Sequence, residues 1–190
     1  MPVVSTIKMT SRQFLALGDD PPGVRLELVD GEVAVSPSPR PRHAHAFIAL
    51  AALLQSHVRA LDLGHVLADV DTVFGPNDVR RPDIIYFRKD RVHLIDLDSA
   101  LNDPPDLCVE IVSPSSAAID RVDKFEQYAA AGVGYYWIAD PAKKTIEGFE
   151  LMSGRYRLSG SGRDLDVVAL SPFNDLKISL SEIWAPEISK

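Results

Sequence analysis

Leu107-Cys108-Val109-Glu110-Ile111-Val112 decides how this chain is read. It is a short apolar run of strand type, ended by Ser113-Pro114-Ser115. Successive side chains of a strand point to opposite faces. Leu107, Val109 and Ile111 therefore share one face, and Cys108, Glu110 and Val112 the other. Both faces read as buried, which places the Glu110 carboxylate out of water. An ionised carboxylate there costs free energy unless something meets its charge, so Glu110 pairs, protonates or binds metal.

Upstream, Arg81-Pro82-Asp83 opens a strand over Ile84–Phe87 and sets a second carboxylate at its start. Two strand-borne carboxylates side by side make a site for a hard cation with oxygen ligands, such as Mg²⁺ or Mn²⁺. The structural alternative is that Asp83 and Glu110 bond nearby backbone or arginine groups, and pattern alone leaves both readings open. Downstream, Ala117–Ala131 reads as a helix whose Val122, Phe125 and Ala129 share a face and which Gly132 closes. Lys124 lies off that face, next to Tyr128. It is either a surface partner of Asp120 four residues earlier, worth about 0.2–0.5 kcal/mol, or a cation at the rim of the buried face.

The rest of the chain supplies the frame. Thr10-Ser11-Arg12-Gln13 has capping-box spacing and predicts a short N-terminal helix. Asp30-Gly31 between Arg25–Val29 and Glu32–Val35 predicts a hairpin. Pro37, Pro39 and Pro41 predict an extended, non-helical connector. Ala44–Leu61 predicts a long helix with one narrow polar stripe of His45, Gln55, Ser56, Arg59 and Asp62, buried on most of its sides against a sheet and a second subunit. Gly64–Phe74 predicts one strand, followed by a turn at Gly75-Pro76-Asn77-Asp78. Further strands are predicted at Tyr135–Ala139, Ile146–Leu151 and Tyr156–Leu158, and a helical turn at Ser179–Trp184. This order reads as α/β or α+β with a mixed central sheet flanked by helices, in a single domain over residues 1–190.

Composition sets limits on function. No stretch of about 18 apolar residues exists, so no bilayer-spanning helix is expected. Met1–Met9 lacks the layout of a secretory signal, and a single cysteine, Cys108, read as a small buried hydrophobe, fits a reducing cytoplasm. A net charge of -7 makes the chain a poor bulk binder of nucleic acid. Binding would need a local patch drawn from Arg40, Arg42, Arg80, Arg81, Arg88, Lys89 and Arg91, which otherwise read as solvated surface. His43 and His45 flank the start of the long helix without the Cys/His clustering of a zinc centre. No G-x-S-x-G, G-x-G-x-x-G or P-loop occurs, which leaves serine hydrolysis and nucleotide cofactors unsupported.

In order along the chain stand Leu26-Glu27-Leu28-Val29-Asp30-Gly31-Glu32, Ser36-Pro37-Ser38-Pro39 with His43, Arg81-Pro82-Asp83-Ile84, Val109-Glu110-Ile111-Val112-Ser113-Pro114-Ser115, Asp120 with Lys124, Tyr128-Ala129-Ala130-Ala131-Gly132-Val133, and Tyr136-Trp137-Ile138-Ala139-Asp140-Pro141. This series, from Met9 to Trp184, resembles the Uma-two family of restriction-endonuclease-like proteins within the PD-(D/E)XK nuclease superfamily. The resemblance implies the restriction-endonuclease-like fold and an Mg²⁺- or Mn²⁺-dependent endonuclease acting on DNA. It implies Asp83 and Glu110 as metal ligands, Lys124 as the catalytic lysine carried by the following helix, and Glu27 as an early acid completing the site. Val112 stands where the superfamily usually has its lysine, and Tyr135 where the family usually has a glutamate. Two further readings stand beside this one, a catalytically silent nuclease-fold binding module and a structural homodimer.

Overall fold

The computed structural model describes residues 8–36, 39–113 and 121–186. Two central strands hold the architecture. Strand β6 (Ile84–Arg88) runs antiparallel to β7 (Leu107–Ile111), with Ile84 facing Val109 and Ile85 facing Cys108. Strand β8 (Tyr135–Asp140) lies parallel to β7 on its other side. A parallel pair needs a crossover, and helix α3 (Asp123–Ala130) lies in the connecting segment. Strands β9 (Thr145–Met152), β10 (Arg155–Arg163) and β3 (Gly64–Ala68) complete a six-stranded mixed sheet in the order β10-β9-β8-β7-β6-β3.

The alternation read in the sequence decides what covers each face. Ile84, Tyr86, Val109 and Ile111 point to the long helix α2 (Pro41–Ala60), which packs Ala46, Leu50, Leu54 and Val58 against them. Ile85, Phe87, Cys108, Tyr136 and Ile138 point to the other layer, where Phe125 and Tyr128 of α3 pack. The fold is thus mixed α+β, a central mixed sheet flanked by helices. A second sheet, in the order β2-β1-β5-β4, holds β1 (Arg25–Val29), β2 (Glu32–Ser36), β4 (Thr72–Gly75) and β5 (Asp78–Arg80). Its small core is Phe14, Leu28 and Val79, with Phe14 supplied by α1 (Ser11–Leu15). Strands β11 (Val167–Leu170) and β12 (Phe173–Ser179) form a separate ribbon, and α4 (Leu180–Ile183) follows.

Several local expectations hold. The Thr10/Gln13 capping box is formed. Asp30 and Gly31 take positive φ, 48° and 78°, as a two-residue hairpin turn of this hand requires. Gly132, at φ 83°, closes α3 with its N–H on the Ala129 carbonyl.

Others are corrected. Gly64–Phe74 is two strands in two sheets, because the chain turns at Asp69, φ 57°, between β3 and β4. Pro41 opens α2 instead of ending a non-helical connector. As the first helical residue it gives up an N–H that has no partner there. Helix α2 buries one face at four-residue spacing, and Ile48 on the outer face is 66% exposed, so the apolar surround does not mean burial on most sides. Val122 precedes α3 and is 56% exposed, leaving Phe125 and Ala129 to pack inward. The ribbon of β11 and β12 and the 3-10 helix Lys89–Leu94 carry no strong periodicity and were not expected. Pro37, Ser38 and residues 114–120, including Ser115 and Asp120, lie outside the described residues.

Candidate active site

Four elements bring Glu27, Asp83, Glu110 and Lys124 together. Glu27 projects from β1, Asp83 from the residue before β6, Glu110 from β7 and Lys124 from the first turn of α3. The β6/β7 register, continued by one residue, sets Asp83 across from Glu110. All four side chains are buried, at 4%, 4%, 3% and 7% exposure in that order.

Each charge is met in a defined way. Lys124 Nζ lies 2.9 Å from Glu110 Oε2 and 3.8 Å from Glu27 Oε1. Tyr128, one turn further along α3, donates its hydroxyl to Glu110 Oε1 at 2.7 Å. Burial first, and the Glu110 charge second, push the Tyr128 phenol well above its ordinary pKa, so it remains a donor. The Ile111 N–H donates to Asp83 Oδ2 at 2.7 Å, His43 Nε2 lies 3.3 Å from the same oxygen, and an Arg25 guanidinium nitrogen lies 3.6 Å from Oδ1. Burial pushes the Asp83 carboxyl up. His43, the Ile111 N–H and Lys124 outweigh it, and the acid ends below its ordinary value. Glu27 accepts the Arg81 N–H on Oε1 at 3.0 Å and Arg80 on Oε2 at 3.2 Å. Arg80 in turn donates Nε to Gln127 at 2.6 Å. Here too burial raises the pKa, and Lys124, Arg80 and the Arg81 N–H together bring it below its ordinary value.

The donor chemistry suits a hard divalent cation. Three buried carboxylates, Glu27, Asp83 and Glu110, face two buried cations, Arg80 and Lys124, with Arg25 and His43 beside Asp83. Among the described residues no group of three or more His, Cys, Asp and Glu side chains is placed to hold a metal ion by itself. Mg²⁺ is usually held by one or two carboxylates with water and substrate phosphate in its other positions. Beside Asp83 a cleft of about 300 Å³ is lined by Arg25, His43, Phe47, Asp69 and Arg81. His43 Nδ1 is a buried atom with no hydrogen-bond partner among the described residues.

Five of the seven residues named for a basic patch meet acids, while Arg40 and Arg42 are exposed at the start of α2. Arg80 is buried on Glu27; Arg81 bonds Asp71 and Asp20; Arg88 and Arg91 meet Asp106; Lys89 meets Asp62. Arg25, at the mouth of the cleft, is bonded to Asp69. His43 reaches Asp83, whereas His45 is exposed. Val112 is buried and apolar, so no cation stands at that position. Tyr135 is partly buried and packs against the larger core cluster. Cys108 is fully buried, and burial pushes its thiol well up, as befits a small hydrophobe. Sequence reasoning missed the Arg80, Gln127 and Tyr128 contacts. The one available signal was Tyr128, a helical turn from Lys124.

Comparison with known proteins gives the family and the fold. The family model "Uma2: Putative restriction endonuclease" matches residues 11–181. A crystal structure described as "a putative nuclease belonging to DUF820 from Anabaena variabilis ATCC 29413" superposes with a TM-score of 0.76. The match covers 93% of this chain and 97% of that one at 19% identity, a likeness of fold. No curated protein matches at a significant level.

Proposed function

The chain belongs to the Uma2 family of restriction-endonuclease-like proteins, and from that premise we propose that it is a metal-dependent endonuclease hydrolysing phosphodiester bonds in DNA. The observation that carries the reading is the buried grouping of Asp83, Glu110 and Lys124, of which Asp83 lines an open cleft. Asp83 and Glu110 are the proposed Mg²⁺ or Mn²⁺ ligands. A bound ion supplies activation of water and stabilisation of the charge that grows on the phosphoryl oxygens.

The chain's own residues do the remaining work in this reading. The Ile111 N–H and His43 keep Asp83 ionised and fix its direction. The Tyr128 hydroxyl fixes Glu110. Lys124 offers a preorganised ammonium where negative charge develops, and in a buried site such a charge acts more strongly than in water. Glu27 completes the site from β1. The paired state of Arg25 and Arg81 predicts weak, salt-sensitive attraction for the backbone of DNA, because phosphate neutralisation by Lys and Arg usually dominates affinity.

The expected homodimer belongs to this reading through the outer face of α2, and sedimentation tests it. No described helix is long and apolar enough to cross a membrane. To test the activity, plasmid, single-stranded DNA and RNA are incubated with Mg²⁺ or Mn²⁺ at low salt, with and without chelator. Cleavage of DNA that chelator abolishes is the expected result. Binding of DNA with no cleavage under any metal would favour the silent binding module.

A further inference from the structure

Lys124 stands between two buried carboxylates and is hydrogen-bonded to one of them. Its Nζ is 2.9 Å from Glu110 Oε2 and 3.8 Å from Glu27 Oε1. Glu27 is held in place from its other side. Arg80 occupies Oε2 and is itself fixed by Gln127, while the Arg81 N–H reaches Oε1. The carboxylate therefore keeps its direction toward Lys124 whatever the lysine does.

A divalent cation on Glu110 meets an ammonium already seated there. Like charges a few ångströms apart repel strongly where water is scarce, and Lys124 is only 7% exposed. An ammonium leaving Glu110 without another anion would be buried and uncompensated, which is costly. Glu27 is the second carboxylate it already faces. The space to be crossed is small, since closing 3.8 Å to an ordinary charge-assisted contact needs a shift of about 1 Å.

We propose that Glu27 is a positioning residue that takes the Lys124 ammonium when Glu110 is given over to a divalent cation. Lys124 then has two stations. On Glu110 it compensates the metal-free site, and on Glu27 it is withdrawn from the metal while remaining beside it. Glu27 acts on the metal only through Lys124 and is not itself a ligand. The proposal rests on the reading of Asp83 and Glu110 as metal ligands.

The test is Mn²⁺ affinity, measured by titration calorimetry on the full chain. Lys124→Met removes the competing ammonium and is expected to tighten Mn²⁺ binding by about tenfold or more, the scale of one charge-assisted hydrogen bond. A gain of affinity cannot come from a failure to fold. Glu27→Gln is expected to weaken binding by about tenfold when Lys124 is present and to have little effect in the Lys124→Met background. Unchanged or weaker binding in Lys124→Met overturns the proposal. So does an equal loss from Glu27→Gln in both backgrounds, which would make Glu27 a direct ligand. Binding that is indifferent to Asp83→Asn and Glu110→Gln would instead overturn the underlying metal site, and the two failures are told apart by those variants.

Discussion

At the scale of single residues, the site is a set of carboxylates kept ionised against burial. Glu27 illustrates the balance. Desolvation raises its pKa, Lys124 and Arg80 lower it, and the folded value lies below 4.5. A carboxyl depressed on folding contributes stability that is present above its unfolded value and is lost as pH falls through the folded one. The wild-type urea midpoint should therefore drop more steeply than that of Glu27→Gln as pH is lowered from 4.5, measured by fluorescence of Trp137 and Trp184. Parallel slopes would mean that the Glu27 charge is not stabilised by folding. How much of this was legible follows from range. The burial of Glu110 could be read from alternation alone, because it follows from its own strand neighbours, whereas its partners Lys124 and Tyr128 come from α3. Lys124 could not be, since the choice between a surface pair and a buried ion pair depends on β1 and β7. Arg80 reaches Glu27 across 53 positions of sequence, a distance no local pattern spans.

At the scale of elements, period and turn chemistry did most of the work. Asp30-Gly31 fixed the first hairpin, and the β7 alternation assigned each face of the main sheet. The long helix shows where such reading stops. Its Ala- and Leu-rich composition is apolar nearly all round, but tertiary contact fully buries Ala46, Leu50, Leu54 and Val58 and only partly buries Phe47, Ala49, Ala51 and Leu53 beside them. Leu50→Ala is expected to cost about 2–5 kcal/mol, as truncation of a fully buried leucine does. Ile48→Ala, on the outer face, is expected to change stability by less than about 0.5 kcal/mol at protein concentrations dilute enough to keep the chain monomeric. Denaturant unfolding of both variants checks the contrast. A large loss from Ile48→Ala that grows with protein concentration would show that a second subunit covers α2. The division of Gly64–Phe74 into two strands was illegible for a related reason. Both pieces have strand composition, and only the left-handed turn at Asp69 sends them to different sheets.

At the scale of the whole molecule, an acidic chain carries a nuclease fold, and several of its cations, Arg81, Arg88, Lys89 and Arg91 among them, meet its own aspartates. Charge at large therefore argues for weak DNA affinity, while the buried centre argues for metal-assisted hydrolysis of a phosphodiester. The fold was legible because the ordered series of short motifs spans nearly the whole chain. The electrostatic surface was not, because composition gives the number of arginines and not what they face. The central claim is that Asp83 and Glu110 form the catalytic metal centre. It is tested most directly by Mn²⁺-dependent plasmid cleavage with wild type, Asp83→Asn and Glu110→Gln side by side, each shown to be folded by circular dichroism. The account predicts nicking by the wild type and loss of at least about a hundredfold in each variant, the scale set by removing one strong electrostatic contribution to a transition state. Cleavage that persists undiminished in both variants would contradict it.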